Sequence, residues 1–154
     1  MAIVALDTSG QVGMDKDIWV VATRRQNQLR YCALRINQKY ERQFHDTENW
    51  REKLSAILFF KTSNELLKSH DIIQIDKDFL GRHADYVKKY MKQLFGSFNF
   101  GTDRNNPIIQ FIPARFSDAI KEAHDYTQLA RHGKVRNEIN PNIEKEFKFL
   151  KRRK

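Results

Sequence analysis

The chain lacks the residues and spacings that carry several common chemistries. It has a single cysteine, Cys32, which excludes an internal disulfide and reads as a small buried hydrophobe in a reducing compartment. No apolar run approaches the roughly 18 residues that a membrane helix requires, so no transmembrane span is expected. The N-terminus shows no basic region followed by a long apolar core, so no secretory signal and a cytoplasmic location are expected. The five histidines show no H-E-x-x-H spacing, and neither a P-loop nor a G-x-G-x-x-G is present. Ser9 follows a strand but lacks the G-x-S-x-G elbow of a nucleophilic serine. There are no internal repeats or low-complexity tracts.

What is present is a soluble globular composition with a basic bias. A length of 154 residues predicts one domain with a core of useful size, and 40% hydrophobic against 31% charged residues is ordinary for such a chain. The net charge is +9 and is unevenly spread. The last ten residues, "KEFKFLKRRK", hold six cations and one glutamate. A basic chain favours polyanions, nucleic acid first. Residues 1–136 read as the domain and residues 137–154 as a basic C-terminal extension.

Along the chain, residues 2–7 read as a buried strand followed by turn chemistry in "SGQVG". "DIWVVATRR" (17–25) and "NQLRYCALRI" (27–36) read as a hairpin. A helix capped by Asp46 or Thr47 is expected to run to about Leu67, with Trp50, Leu54, Ile57 and Leu58 in its apolar period. "HDIIQIDKDF" (70–79) reads as a strand. Residues 81–95 read as a helix with Tyr86, Val87, Tyr90, Met91, Leu94 and Phe95 inward. "IIQFIP" (108–113) reads as the fifth strand. A helix over 117–134 has Ser117 as its cap and Gly133 as its stop, and a last short helix follows Pro141. The order β-β-β-α-β-α-β-α predicts an α/β fold. An antiparallel meander is extended by two parallel crossovers into a mixed five-stranded sheet with helices on its faces.

Two of these strands end on an acid, Asp7 and Asp76. If the first and fourth strands are parallel neighbours, the carboxylates lie side by side beyond the carboxyl ends of the strands, where sites form in open α/β sheets. Paired carboxylates repel unless a divalent cation lies between them, and Mg²⁺ prefers such hard oxygen donors. A helix-borne acid would complete the set. Glu52 is followed one turn later by the small residues Ser55 and Ala56, which let its helix lie close to the sheet; Glu48 is its rival. On the third helix Asp118, Glu122 and Asp125 share one face, and Asp125 or Asp118 would reach the same metals. His124 is set aside, because helix neighbours point about 100° apart and pair poorly on one ion.

These elements and acids resemble the ribonuclease H-like superfamily over residues 2–134. "IVALDTSGQVG" is similar to its first strand, "REKLSAIL" to its glutamate-bearing helix and "DIIQIDKDF" to its fourth strand. "AHDYTQLAR" is similar to its last helix, in which an aspartate precedes a Leu-Ala pair. Glu52 stands 24 residues before Asp76, in keeping with that pattern. The D-x-S-G start resembles that of uncharacterised ribonuclease H-like proteins of microbes. Three features depart from the type 1 enzymes: their last aspartate stands closer to the Leu-Ala pair than Asp125 stands to Leu129 and Ala130, which keeps Asp118 as its rival; "PARFS" carries no histidine before the last helix; and the basic protrusion is absent.

The resemblance implies a metal-dependent endonuclease that hydrolyses nucleic-acid phosphodiesters. Asp7 would bridge two Mg²⁺ or Mn²⁺ ions about 3.5–4 Å apart, with Asp76 and Glu52 on one ion and Asp125 on the other. The basic helix carrying Arg82, Lys88, Lys89 and Lys92, together with Lys151, Arg152 and Arg153 of the tail, would hold RNA or DNA phosphates without reading sequence. The alternative is a non-catalytic nucleic-acid- or protein-binding module on the same fold, since fold does not imply activity.

Overall fold

The computed structural model describes residues 1–9, 17–37, 41–77, 83–134 and 137–154. Strands β1 (Ile3–Ser9), β2 (Ile18–Arg25) and β3 (Leu29–Ile36) precede helix α1 (Trp50–Leu66) and strand β4 (Ile72–Asp76). Helix α2 (Ala84–Phe98), strand β5 (Ile108–Ile112), helix α3 (Asp118–Arg131) and helix α4 (Glu144–Lys151) complete the chain. The sheet runs β3-β2-β1-β4-β5. β1 to β3 pair antiparallel, while β4 is parallel to both β1 and β5. This is the mixed five-stranded α/β sheet that the element order predicts, and it is compatible with a ribonuclease H-like fold.

Strand alternation divides the sheet into two faces. Val4, Leu6, Val20, Leu34, Ile73 and Ile75 turn toward α1, α2 and α4 and form the main core with Leu54, Ile57, Met91 and Leu94. Ala5, Val21 and Ala33 turn the other way, against Ile120, Ala123 and Ala130 of α3. Alanines on both sides of this second layer let α3 lie close over β1 and β2. Asp7, two residues beyond Ala5, therefore faces α3.

Helix α1 begins later than its sequence suggests. Thr47 is occupied upstream, donating its N–H to Phe44 O at 2.9 Å. The helix instead starts behind Asn49, whose φ of 56° lies in the left-handed region that Asn tolerates better than most residues. On α2, Val87, Tyr90, Met91, Leu94 and Phe95 are buried as the period requires, but Tyr86 is 48% exposed. That five-residue stripe already fills the inward face, and Tyr86 falls one residue outside it. At α3 the expected signals operate. Ser117 Oγ accepts from Ile120 N, and Gly133, at φ 70°, lets Lys134 N–H return to Leu129 O at 3.0 Å.

Residues 137–154 lie against the rest of the chain. Ala33 N–H donates to Asn137 O and Ile139 N–H to Ala33 O, at 2.9 and 2.8 Å. Ile143 and Leu150 are part of the main core. Cys32 is buried, its thiol donating to Thr62 O at 3.2 Å, and burial pushes its pKa up to about 12. No helix among the described residues is long and apolar enough to cross a membrane.

Candidate active-site cleft

The register carries the two strand-end acids to one place. Leu6 pairs with Ile75, so the next step along these parallel strands sets Asp7 beside Asp76. Asp76 is itself opposite Ile112 of β5. Helix α3 closes the space from above. Asp7, Asp76, Ala114, Lys121, His124 and Asp125 line a cleft of about 430 Å³.

Asp7 is only 2% exposed. Burial raises its carboxyl pKa above the ordinary 3.8; hydrogen bonding to Thr127 and the charge and hydrogen bond of His124 oppose that rise, and the neighbouring Asp76 adds to it. His124 Nδ1 lies 3.2 Å from Asp7 Oδ2. Gln128 Nε2 faces His124 Nε2 at 3.4 Å, one turn further along α3. A Gln N–H donated to Nε2 leaves the ring proton on Nδ1, where it is donated to Asp7. Thr127 is buried, and Ala123 O, 3.0 Å from its hydroxyl, is the alternative acceptor for the same single proton.

Three of the sequence-derived acids, Asp7, Asp76 and Asp125, thus share one cleft. Glu52 is not among the described residues lining it. It sits at the start of α1, on the other side of the sheet, with Oε1 2.7 Å from His83 Nδ1. Its rival Glu48 is exposed and, with Glu52, acts electrostatically on the buried hydroxyl of Tyr90. Asp118 is fully exposed beside Lys121, 3.8 Å away, and Glu122 is drawn off to Arg25 at 2.9 Å. The shared acidic face of α3 therefore contributes Asp125 to the cleft and directs its other acids elsewhere. The sequence reading sets His124 aside and does not single out Lys121 or Thr127. The i, i+3 spacing of 121, 124 and 127 marks one side of the helix and was the available signal.

Among the described residues no three His, Cys, Asp or Glu side chains stand close enough together to hold a metal ion. The donor chemistry nevertheless suits a hard cation. Mg²⁺ commonly takes one or two carboxylates and completes its octahedron with water and substrate phosphate. A desolvated carboxylate beside a second one, as Asp7 is beside Asp76, is an arrangement that a cation relieves.

Of the basic residues expected to hold phosphate, Arg82 lies outside the described residues, as do Gly10 and Gly13 of the first turn. Lys89 and Lys92 on α2 and Lys151, Arg152 and Arg153 at the C-terminus are exposed, and Lys88 is half-buried. The Lys89 ammonium donates to the backbone oxygen of Lys154, so α2 and the C-terminal segment share one basic surface.

No family model and no curated protein matches the chain. Among solved structures it is similar to a crystal structure of NurA, with 15% identity over 96% of this chain and a TM-score of 0.28. The alignment covers 36% of that chain, so this protein spans about a third of its length. A likeness at this level carries no argument about activity.

Proposed function

We propose that the protein is a divalent-metal-dependent nuclease that hydrolyses nucleic-acid phosphodiesters in the cleft between β1, β4 and α3. The observation that carries this reading is the buried Asp7 beside Asp76 at the ends of adjacent parallel strands, with Asp125 in the same cleft. Asp7 and Asp76 would hold Mg²⁺ or Mn²⁺ and Asp125 a second ion; Glu52, paired with His83 on the other side of the sheet, has no part in this set. Bound there, the ions supply an activated water and charge neutralisation at the phosphate.

The chain's own residues have separate tasks. His124 donates to Asp7 and fixes the direction of its carboxylate, as a partner behind a metal ligand does. Lys121, at the cleft wall, offsets phosphate charge. The basic surface of α2 and the C-terminal segment supplies sequence-independent attraction, so binding should weaken steeply with salt.

The test is cleavage of a labelled panel of RNA–DNA hybrid, duplex DNA, single-stranded RNA and a four-way junction, with Mg²⁺ or Mn²⁺. Wild type is run beside Asp7→Asn and Asp76→Asn. Cleavage by wild type alone supports the nuclease. Salt-sensitive binding with no cleavage by folded protein overturns it in favour of a non-catalytic binding module.

A further inference from the structure

We infer that Arg115 and Phe116 form a stacking platform at the mouth of the cleft, and that the preferred ligand is a strand with an unpaired base beside the phosphate in that cleft. The placing of that phosphate rests on the nuclease reading; the platform itself does not.

The chain leads directly from the carboxylates to this pair. Ile112 is the β5 neighbour of Asp76. Pro113 ends the strand, and a single 3₁₀ turn, Ala114–Phe116, follows. Ala114 lines the cleft. At about 2 Å of rise per residue, Phe116 stands only about 4 Å further along the turn axis.

The turn is anchored on both sides. Phe116 N–H donates to Pro113 O and Ser117 N–H to Ala114 O, each at 3.0 Å. Ser117 Oγ–H donates to Gln74 Oε1 at 2.8 Å while its oxygen caps α3. On this fixed backbone the Phe116 ring is 70% exposed. It packs against neither core layer, so folding does not account for an aromatic at this position. The Arg115 guanidinium lies over it, 4.7 Å from the ring centroid, and among the described residues Arg115 makes no salt bridge. Lys121 adds a second cation at the cleft wall.

An exposed ring, a planar cation stacked on it and a nearby ammonium match the way single strands are held. Bases stack on aromatic faces and cations follow the backbone. Inside a duplex each base is held in its pair and covered by its neighbours, so this platform selects an unpaired base.

The experiment uses the full chain with an oligonucleotide carrying one 2-aminopurine, as a single strand and as a blunt duplex with the label internal. Both are measured in low-salt buffer with EDTA. Wild type is expected to quench the single-strand fluorescence and to bind that strand more tightly than the duplex. Phe116→Ala should lose the quench and bind the single strand about 5- to 150-fold more weakly, with duplex affinity unchanged. Phe116→Trp should restore both. Equal quench and affinity for Phe116→Ala and wild type would overturn the inference, as would failure of wild type to bind either strand. Cleavage in Mg²⁺ separates the two readings. Quench without cleavage removes the nuclease and keeps the platform, whereas cleavage with kcat and KM unchanged by Phe116→Ala keeps the nuclease and removes the platform.

Discussion

His124 Nδ1 and Asp7 Oδ2 meet at 3.2 Å across 117 residues of chain. The contact joins the centre of the sheet to the helix that covers it. It sets a positively polarised group on a carboxylate whose ionisation burial opposes. Removing His124 should therefore raise the Asp7 pKa further, and removing the neighbouring acid with Asp76→Asn should lower it. Opposite displacements of the Asp7 carboxyl resonance in an NMR pH titration would verify this. Shifts of the same sign would show that the two groups do not flank Asp7. If His124 positions a metal-binding carboxylate, His124→Ala should also cost about 10- to 100-fold in metal affinity or activity.

The same carboxyl predicts a metal-linked stability change. Its pKa is raised in the fold, so its favourable contribution is complete below the unfolded value of 3.8 and is lost as pH rises through the folded value. Without metal at pH 7, Asp7→Asn should melt above wild type, and the advantage should vanish near pH 3.8 and below. Mg²⁺ should reverse the order. A ligand at 100 times its Kd adds about 2.7 kcal/mol, or about 5–10 °C for a chain of this size, and only wild type should gain it. A thermal melt with and without Mg²⁺ reads both effects. No shift with Mg²⁺ or Mn²⁺ would argue against a metal at Asp7.

Much of this arrangement was legible in the sequence, for physical reasons that also mark where legibility stopped. Strand alternation and crossover length are local properties, and they were enough to bring Asp7 and Asp76 onto neighbouring parallel strands. Ser117 and Gly133 signal the ends of α3 through chemistry that acts within one turn. His124 was set aside because the angle between helix neighbours was treated as decisive. Both His124 and Asp125 nevertheless line the cleft, because small residues on β1, β2 and β3 and on α3 let that helix lie close to the sheet. Glu52 shows the complementary difficulty. Its spacing from Asp76 says nothing of His83, which holds its carboxylate at 2.7 Å. Tyr86 has the right residue type for the core but the wrong phase on its helix.

Away from the cleft, Arg24 and Asp71 form a buried bidentate pair, with Nε to Oδ2 at 2.7 Å and Nη2 to Oδ1 at 3.2 Å. Asp71 also accepts from Ala2 N and Lys68 N, so it ties the start of β1 to β2 and to the turn before β4. Burial alone would raise its pKa. Hydrogen bonds from Arg24 and the two backbone amides outweigh that and hold it below 3.8. A depressed carboxylate contributes stability above its unfolded pKa and loses it as pH falls through the folded value. Asp71→Ala should cost about 3–5 kcal/mol at pH 7 by stranding the guanidinium, and the difference from wild type should shrink below pH 3.8. Urea unfolding at pH 7 and pH 3 measures both; a penalty unchanged at pH 3 would mean that the charge contributes little.

The C-terminal segment tests whether the fold is complete without it. Leu150 and Ile143 are fully buried. The Phe147 ring meets Phe44 edge-on at 4.0 Å, and Lys61 on α1 pairs with Glu146 at 3.5 Å. Asn137 and Ile139 pair with the outer edge of β3 at Ala33, which covers part of a strand edge that would otherwise be open to other chains. Leu150→Ala should lower stability by about 2–5 kcal/mol through the cavity it leaves. Deleting residues 137–154 should do more, because it uncovers α1 and α2 and reopens the β3 edge. The shortened chain should melt well below the full one and associate as it is concentrated, which thermal melts and light scattering together would reveal. If the deletion melted within a degree or two of the full chain, the segment would be an appendage that only carries charge. If instead stability falls as expected, the phosphate-binding cations at 151–153 cannot be removed by truncation without damaging the core. Their contribution to binding then has to be measured by charge-neutralising substitutions such as Lys151→Gln and Arg153→Gln, read from the slope of affinity against salt.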